Sequence, residues 1–110
     1  MAEILVVLTN CPDPDSAERI ARRLVEDRLA ACVNRLPPVR STYRWQGAIE
    51  HAEEYPLLVK CTRERYAAVE AALREQHPYE VPEIIALSVV AGWGPYLRWV
   101  DNETQPPQLA

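Results

Sequence analysis

The stretch Arg35-Leu36-Pro37-Pro38-Val39-Arg40-Ser41-Thr42-Tyr43-Arg44-Trp45-Gln46-Gly47-Ala48-Ile49-Glu50-His51-Ala52-Glu53-Glu54-Tyr55-Pro56-Leu57-Leu58-Val59-Lys60 decides the fold. Thr42, Tyr43 and Trp45 favour extended backbone. Gln46-Gly47 is a turn signal. Paired prolines cannot sit in a central ladder, so Pro37-Pro38 marks a bulge or an edge. The stretch therefore reads as a long β-hairpin folded at Gly47, with arms of about 40 Å at roughly 3.3 Å per residue. A compact domain of this length has a radius of gyration of about 13 Å, so the hairpin tip overhangs. A two-stranded ribbon is unstable alone in water. Edge-to-edge pairing with another chain resolves this, and closed symmetry keeps it from growing into fibres. The sequence thus predicts a homo-oligomer whose interface includes Tyr43, Trp45, Gln46 and Ile49.

Working outward, Ile4 to Thr9 is a short strand, apolar almost throughout. A helix follows the Asn10–Pro14 break, with Pro14 in its first turn and Asp15 with Glu18 as a capping box. Its apolar stripe is Ala17, Ile20, Ala21, Leu24, Val25 and Leu29. Ala30 to Leu36 begins the second strand, and Val39 to Trp45 continues it. Ala48 to Glu54 is extended, and Tyr55 to Thr62 is a further strand. Thr62 caps a helix to about Gln76, which His77-Pro78 ends. Glu83 to Val90 is the fourth strand, and Pro95 opens a third helix. The order is the split βαββαβ pattern: an α+β, ferredoxin-like fold with a long central hairpin and a C-terminal helix. Its strand order is 4-1-3-2, with helices on one face. Residues 1–103 form a single domain and 104–110 a loose tail. Thr9–Cys11, Trp45–Gly47 and His77–Glu83 fall at one rim; Cys32, Lys60, Cys61 and Trp99 fall at the other.

Composition narrows the function. The chain has 110 residues and a formal charge of −4. That length suits one domain, and the acidic balance lacks the basic face that nucleic acid needs. Leu5–Leu8 and Leu57–Val59 offer no ring to stack bases, against an RNA-recognition sheet. No apolar run is long enough to span a bilayer. Met1-Ala2-Glu3 precedes the first strand without a basic start, which predicts no signal peptide. Cys11, Cys32 and Cys61 are odd in number and widely spaced, which predicts reduced thiols and a cytoplasmic location. The glycines Gly47, Gly92 and Gly94 make no phosphate-binding loop.

Four blocks then carry a resemblance. They are Ala30-Ala31-Cys32-Val33-Asn34, Ser41-Thr42-Tyr43-Arg44-Trp45-Gln46-Gly47, His77-Pro78-Tyr79-Glu80-Val81-Pro82-Glu83-Ile84-Ile85-Ala86-Leu87 and Tyr96-Leu97-Arg98-Trp99-Val100. In order and spacing the chain resembles the CutA divalent-cation-tolerance family. The resemblance implies a ferredoxin-like fold, a homotrimer joined through long hairpins and similar to PII signal proteins, and tolerance to divalent metals, copper especially, with no established reaction. In some relatives a Cys near the end of strand one and two adjacent His before the Pro have been proposed as copper ligands. Here those positions hold Thr9, Gln76 and His77.

The residues suggest the following sites. His77 is a candidate metal ligand, since neutral imidazole binds Cu and Zn; the other reading is a helix-terminal histidine favoured by the dipole. Cys11, just before a helix, is a candidate second ligand and exposed low-pKa thiol, or a loop cysteine without a role. Cys32 and Cys61 read as packed thiols. His51 lies among Glu50, Glu53 and Glu54, a weak metal cluster or a solvated charge patch. Tyr79, Glu80 and Glu83 follow His77 at an inter-subunit cleft that could take a divalent metal or a small polar ligand, or they simply form a turn fixed by Pro78 and Pro82.

The chain thus reads as a cytoplasmic homotrimeric metal-tolerance protein, not an enzyme, with Cu or Zn a non-obligatory cofactor and neither nucleic acid nor membrane as partner. The alternatives are an enzyme using the same cleft, with Glu83 or His77 as general base, and a structural scaffold.

Overall fold

The structure is a computed structural model that describes residues 2–106. It contains β1 (Ile4–Cys11), α1 (Pro14–Glu26), β2 (Cys32–Arg35), β3 (Val39–Trp45), β4 (Ala48–Thr62), α2 (Arg63–Gln76), β5 (Ile85–Ser88) and α3 (Gly94–Glu103). The sheet runs β2-β4-β1-β5, with β3 paired to the far half of β4. All pairings are antiparallel. This is the expected 4-1-3-2 order, its second strand split into β2 and β3 at Pro37-Pro38. Two expected segments, Ala48–Glu54 and Tyr55–Thr62, form one continuous 15-residue strand, β4. Pro56 is tolerated within it: it stands opposite Asn10 on β1, and its carbonyl accepts from Leu36 N.

The core lies between the sheet and the first two helices. Leu5, Val7, Thr9 and Cys11 alternate along β1, and Leu57, Val59 and Cys61 along β4; all are buried. Register sets Leu5 opposite Cys61, Val7 opposite Val59 and Thr9 opposite Leu57. Residues paired across neighbouring strands share a face, so one side of the sheet is a continuous apolar surface. Ile20 and Leu24 of α1 and Val69, Ala72 and Leu73 of α2 close over it. Ile4, pointing to the opposite face from Leu5, packs with Ala31 and Val100, so α3 covers only one end of that second face.

Each helix end has a chemical cause. Thr62 caps α2 as expected, its hydroxyl accepting from Arg65 N at 3.3 Å. The α1 cap is Asp13, not Asp15: its carboxylate accepts from Ser16 N at 2.7 Å, and Pro14 takes the first helical position. After α1, Arg28 adopts φ 58°, a left-handed conformation costing a residue with Cβ about 1 kcal/mol. Its guanidinium donates to the carbonyls of Asn102 and Gln105, capping the end of α3. That corrects the expected tail at its start. Thr104 is buried and donates to the Val100 carbonyl at 2.8 Å, and the Gln105 amide bonds Asp101. Residues 107–110 lie outside the described residues.

The overhang is visible in the dimensions. The chain measures 49 × 32 × 23 Å. Residues 42–50 are all exposed, and among the described residues β3 pairs with β4 alone. Gln46 (φ 48°) and Gly47 (φ 82°) make the left-handed pair of a tight hairpin turn whose twist matches its strands.

The cap assignment separates two carboxylates two residues apart. Asp13→Ala should lower the urea midpoint of unfolding, and Asp15→Ala should lower it clearly less. Equal losses would mean that the Asp13–Ser16 bond is not the cap.

Candidate functional site

The end of β1 and the exit of α2 converge at one rim, as the topology predicts, but they meet the root of the hairpin at Glu54 and not its expected tip, Trp45–Gly47, from which Trp45 alone reaches the rim. Asn10 is the hub. Its backbone carbonyl accepts from His77 Nε2 at 2.7 Å, and its side-chain amide donates to Glu83 Oε1 at 3.2 Å. His77 is the C-cap of α2, and its Nδ1 accepts from the Tyr79 N–H at 3.2 Å. Nδ1 must therefore be unprotonated, which leaves the proton on Nε2. Burial lowers the His77 pKa below its ordinary value; the bond to Asn10 and the negative charge of Glu54 act the other way. The imidazole also sits 4.9 Å from the Tyr79 ring, centroid to centroid.

Tyr79, held in this way, donates its hydroxyl to Glu54 Oε2 at 3.0 Å. Burial, that bond and the Glu54 charge all push the phenol upward, so it remains a donor. Glu54 itself is only 8% exposed. Beside it opens a cleft of about 570 Å³ lined by Asn10, Ser41, Thr42, Tyr43, Trp45, Glu54, Tyr79, Glu80, Val81 and Glu83. The expected cleft residues Tyr79, Glu80 and Glu83 thus come together. So do Tyr43, expected only at a chain-to-chain interface, and Trp45, expected both there and at this rim. Gln46 and Ile49 lie beyond the cleft, at the hairpin turn and on the following strand, both exposed. Glu54, expected only in the charge cluster around His51, was missed as a residue of this cleft. Its signal was its register opposite Val39, at the hairpin root, which composition does not reveal.

The metal candidates do not converge. Cys11 is fully buried on the helix-facing side of β1, not an exposed thiol at a helix start. Burial foremost, then the Asp13 charge, push its pKa up to about 11, the reverse of the expected activation. Cys61 is likewise buried and raised to about 11, as a packed thiol should be. Cys32 is half-exposed, its sulfur 3.9 Å from Asn34 Oδ1. Thr9 is buried with Cys11, while both ring nitrogens of His77 are already engaged. His51 bonds Thr42 across the hairpin at 3.0 Å. Among the described residues no three His, Cys, Asp or Glu side chains lie close enough to hold one ion. The donor set at Cys11 and His77 therefore does not fit copper or zinc.

Comparison with known proteins gives a consistent family. A family model described as CutA1 divalent ion tolerance protein matches residues 5–103. The chain is 44% identical to the divalent-cation tolerance protein CutA of Thermus thermophilus over 99 residues, covering 90% of this chain and 96% of that protein. It is 42% identical to mouse protein CutA over 102 residues, covering 93% of this chain but 58% of the mouse protein. Among solved structures, CutA from Xylella fastidiosa superposes with a TM-score of 0.90 at 45% identity, covering 93% of this chain and 98% of that one. These likenesses correct the expected cytoplasmic location. A similar Archaeoglobus fulgidus structure is named periplasmic and an Arabidopsis thaliana relative chloroplastic, so a cytoplasmic location has no support from the relatives.

The buried imidazole makes a pH prediction. The folded chain holds His77 below the ordinary value of 6.5, so the unfolded chain takes up the proton first as pH falls. Its contribution to stability is complete above that value and is lost as pH drops from it toward the folded-state pKa. His77→Gln, which keeps a donor and an acceptor without titrating, should flatten the loss in urea unfolding over that window. Identical slopes for both proteins would refute the assignment.

Proposed function

The chain belongs to the CutA1 divalent ion tolerance family, and we propose that it serves divalent-cation tolerance as a homotrimer that binds a small ligand in the cleft of Tyr79, Glu80 and Glu83, without catalysing a reaction. The observation that carries the assembly is the second face of the sheet. Antiparallel sheets usually turn polar side chains to water on their uncovered face. Here register sets Leu8 beside Leu58 and Ile85, and Val6 beside Leu87. These five aliphatic side chains share that face, with Ile85 48% and Leu87 54% exposed. An apolar stripe continuous with an overhanging ribbon favours burial against further copies of the chain. The hairpin residues Tyr43, Trp45, Gln46 and Ile49 extend that interface. The number three comes from the resemblance of the hairpin and its flanking blocks to the family.

The non-catalytic reading rests on the chemistry of the cleft. Its best-positioned acid, Glu54, is bonded to a phenol whose own proton is held tightly. The family is named for tolerance to cations, not for a reaction. Ligand capture is assigned to the cleft, away from His77 and Cys11, because the imidazole there props Tyr79 and the thiol is packed in the core.

Two measurements test this reading. Light scattering at micromolar concentration should give a three-chain mass for the wild type. Leu87→Lys places a charge on a residue already half-exposed in one chain, so it should leave the protomer folded and give a single-chain mass. A monomeric wild type, or an intact trimer in the variant, overturns the interface. Calorimetric titration with Cu(II) should give equal heats for wild type and His77→Ala; a lost binding isotherm in the variant would restore His77 as a ligand.

A further inference from the structure

The geometry points to an organic cation of the alkylammonium class as the occupant of the cleft, with Glu54 as its counter-ion; this deepens the ligand-cleft reading above and rests on it. The first observation is the charge of the walls. Three carboxylates, Glu54, Glu80 and Glu83, line the cleft, and no Lys, Arg or His does. The net charge of the walls disfavours an anionic ligand.

The second observation is Glu54 itself. It is more than nine-tenths buried, and among the described residues it has no ion-pair partner. One oxygen accepts from Tyr79; among the described residues no donor reaches the other, which is open to the cleft. Burying a carboxylate is costly unless it is paired and hydrogen-bonded, and one phenol meets only part of that demand. A cation entering from the cleft supplies the rest.

The third observation separates organic from inorganic cations. A hard divalent ion wants six or more oxygens gathered within about 2.0–2.6 Å. Among the described residues the acids do not gather to hold a single ion. Glu83 is turned to the Asn10 amide. The rings of Tyr43, Trp45 and Tyr79 line the same cleft. Aromatic faces attract a desolvated ammonium through their quadrupole, and a carboxylate accepts its N–H bonds. The volume of about 570 Å³ suits a small molecule better than a bare ion.

Titration calorimetry of the full-length protein with butylammonium chloride tests the inference, with 1-butanol as the uncharged match. Butylammonium should bind at millimolar concentration and 1-butanol should not. Glu54→Gln keeps an acceptor for Tyr79 but removes the charge, and should weaken butylammonium binding about tenfold or more at unchanged assembly mass. Equal heats for amine and alcohol, or unchanged affinity in Glu54→Gln, overturn the inference. Heats with magnesium or zinc chloride but not with butylammonium overturn it while leaving a ligand-binding cleft intact. A wild-type protein that ignores butylammonium, while Glu54→Gln falls apart into single chains, assigns the carboxylate to a neighbouring copy and also overturns it. Silence to every titrant in a monomeric protein removes the underlying reading as well.

Discussion

Backbone hydrogen bonding along β4 is the constraint on which the rest of the structure depends. Its lower half is held on both sides, by β1 and by β2; its upper half is held only by β3. A strand of this length must keep one twist and one side-chain alternation from end to end. The same alternation that buries Leu57, Val59 and Cys61 beneath the helices therefore sends Leu58 to the uncovered face. It also carries the ladder past the body of the domain, where among the described residues β3 has no strand beyond it. The core, the bare apolar face and the projecting ribbon are thus consequences of one uninterrupted ladder.

Much of this was legible in the sequence because it rests on local signals. Gln46-Gly47 specifies a tight turn, Thr62 and His77-Pro78 bound α2, and the alternation of helix and strand patterns gives the topology. The long hairpin arm was legible too, but not how the ladder of β4 accommodates Pro56. Its carbonyl still pairs and it faces Asn10 at the end of a ladder, a tertiary fact. The α1 cap was misplaced for a similar reason. Asp13 and Asp15 are both good caps, and only the path of the chain from Cys11 decides which carboxylate reaches Ser16 N. Arg28 shows the limit plainly, since its guanidinium is held by carbonyls more than seventy residues away.

The candidate site was half legible. The run His77–Glu83 announced a polar turn, and Tyr79, Glu80 and Glu83 do line one cleft. The errors lay with groups whose chemistry depends on which way they face. Cys11 ends a strand before it precedes a helix, and the alternation of β1 turns its sulfur into the core. Desolvation of a thiolate there outweighs any help from the helix terminus. His77 keeps its place at the rim but spends both nitrogens on backbone groups, so it acts as a brace for Tyr79.

That brace connects the fold to the cleft. Asn10 and His77 fix the Tyr79 backbone, Tyr79 fixes Glu54, and Glu54 stands at the hairpin root where β4 leaves the shelter of the domain. A protonated His77 could no longer accept from the Tyr79 N–H, so the orientation of the phenol depends on a neutral imidazole. Burial supplies that neutrality by disfavouring the charged form. The uncovered apolar face lies on the same chain as this cleft, and Tyr43 and Trp45 belong both to the cleft and to the exposed ribbon. Association that orders the ribbon would therefore order two of the cleft's three rings. Under the proposed assembly and ligand binding, the two would be coupled through the side chains they share.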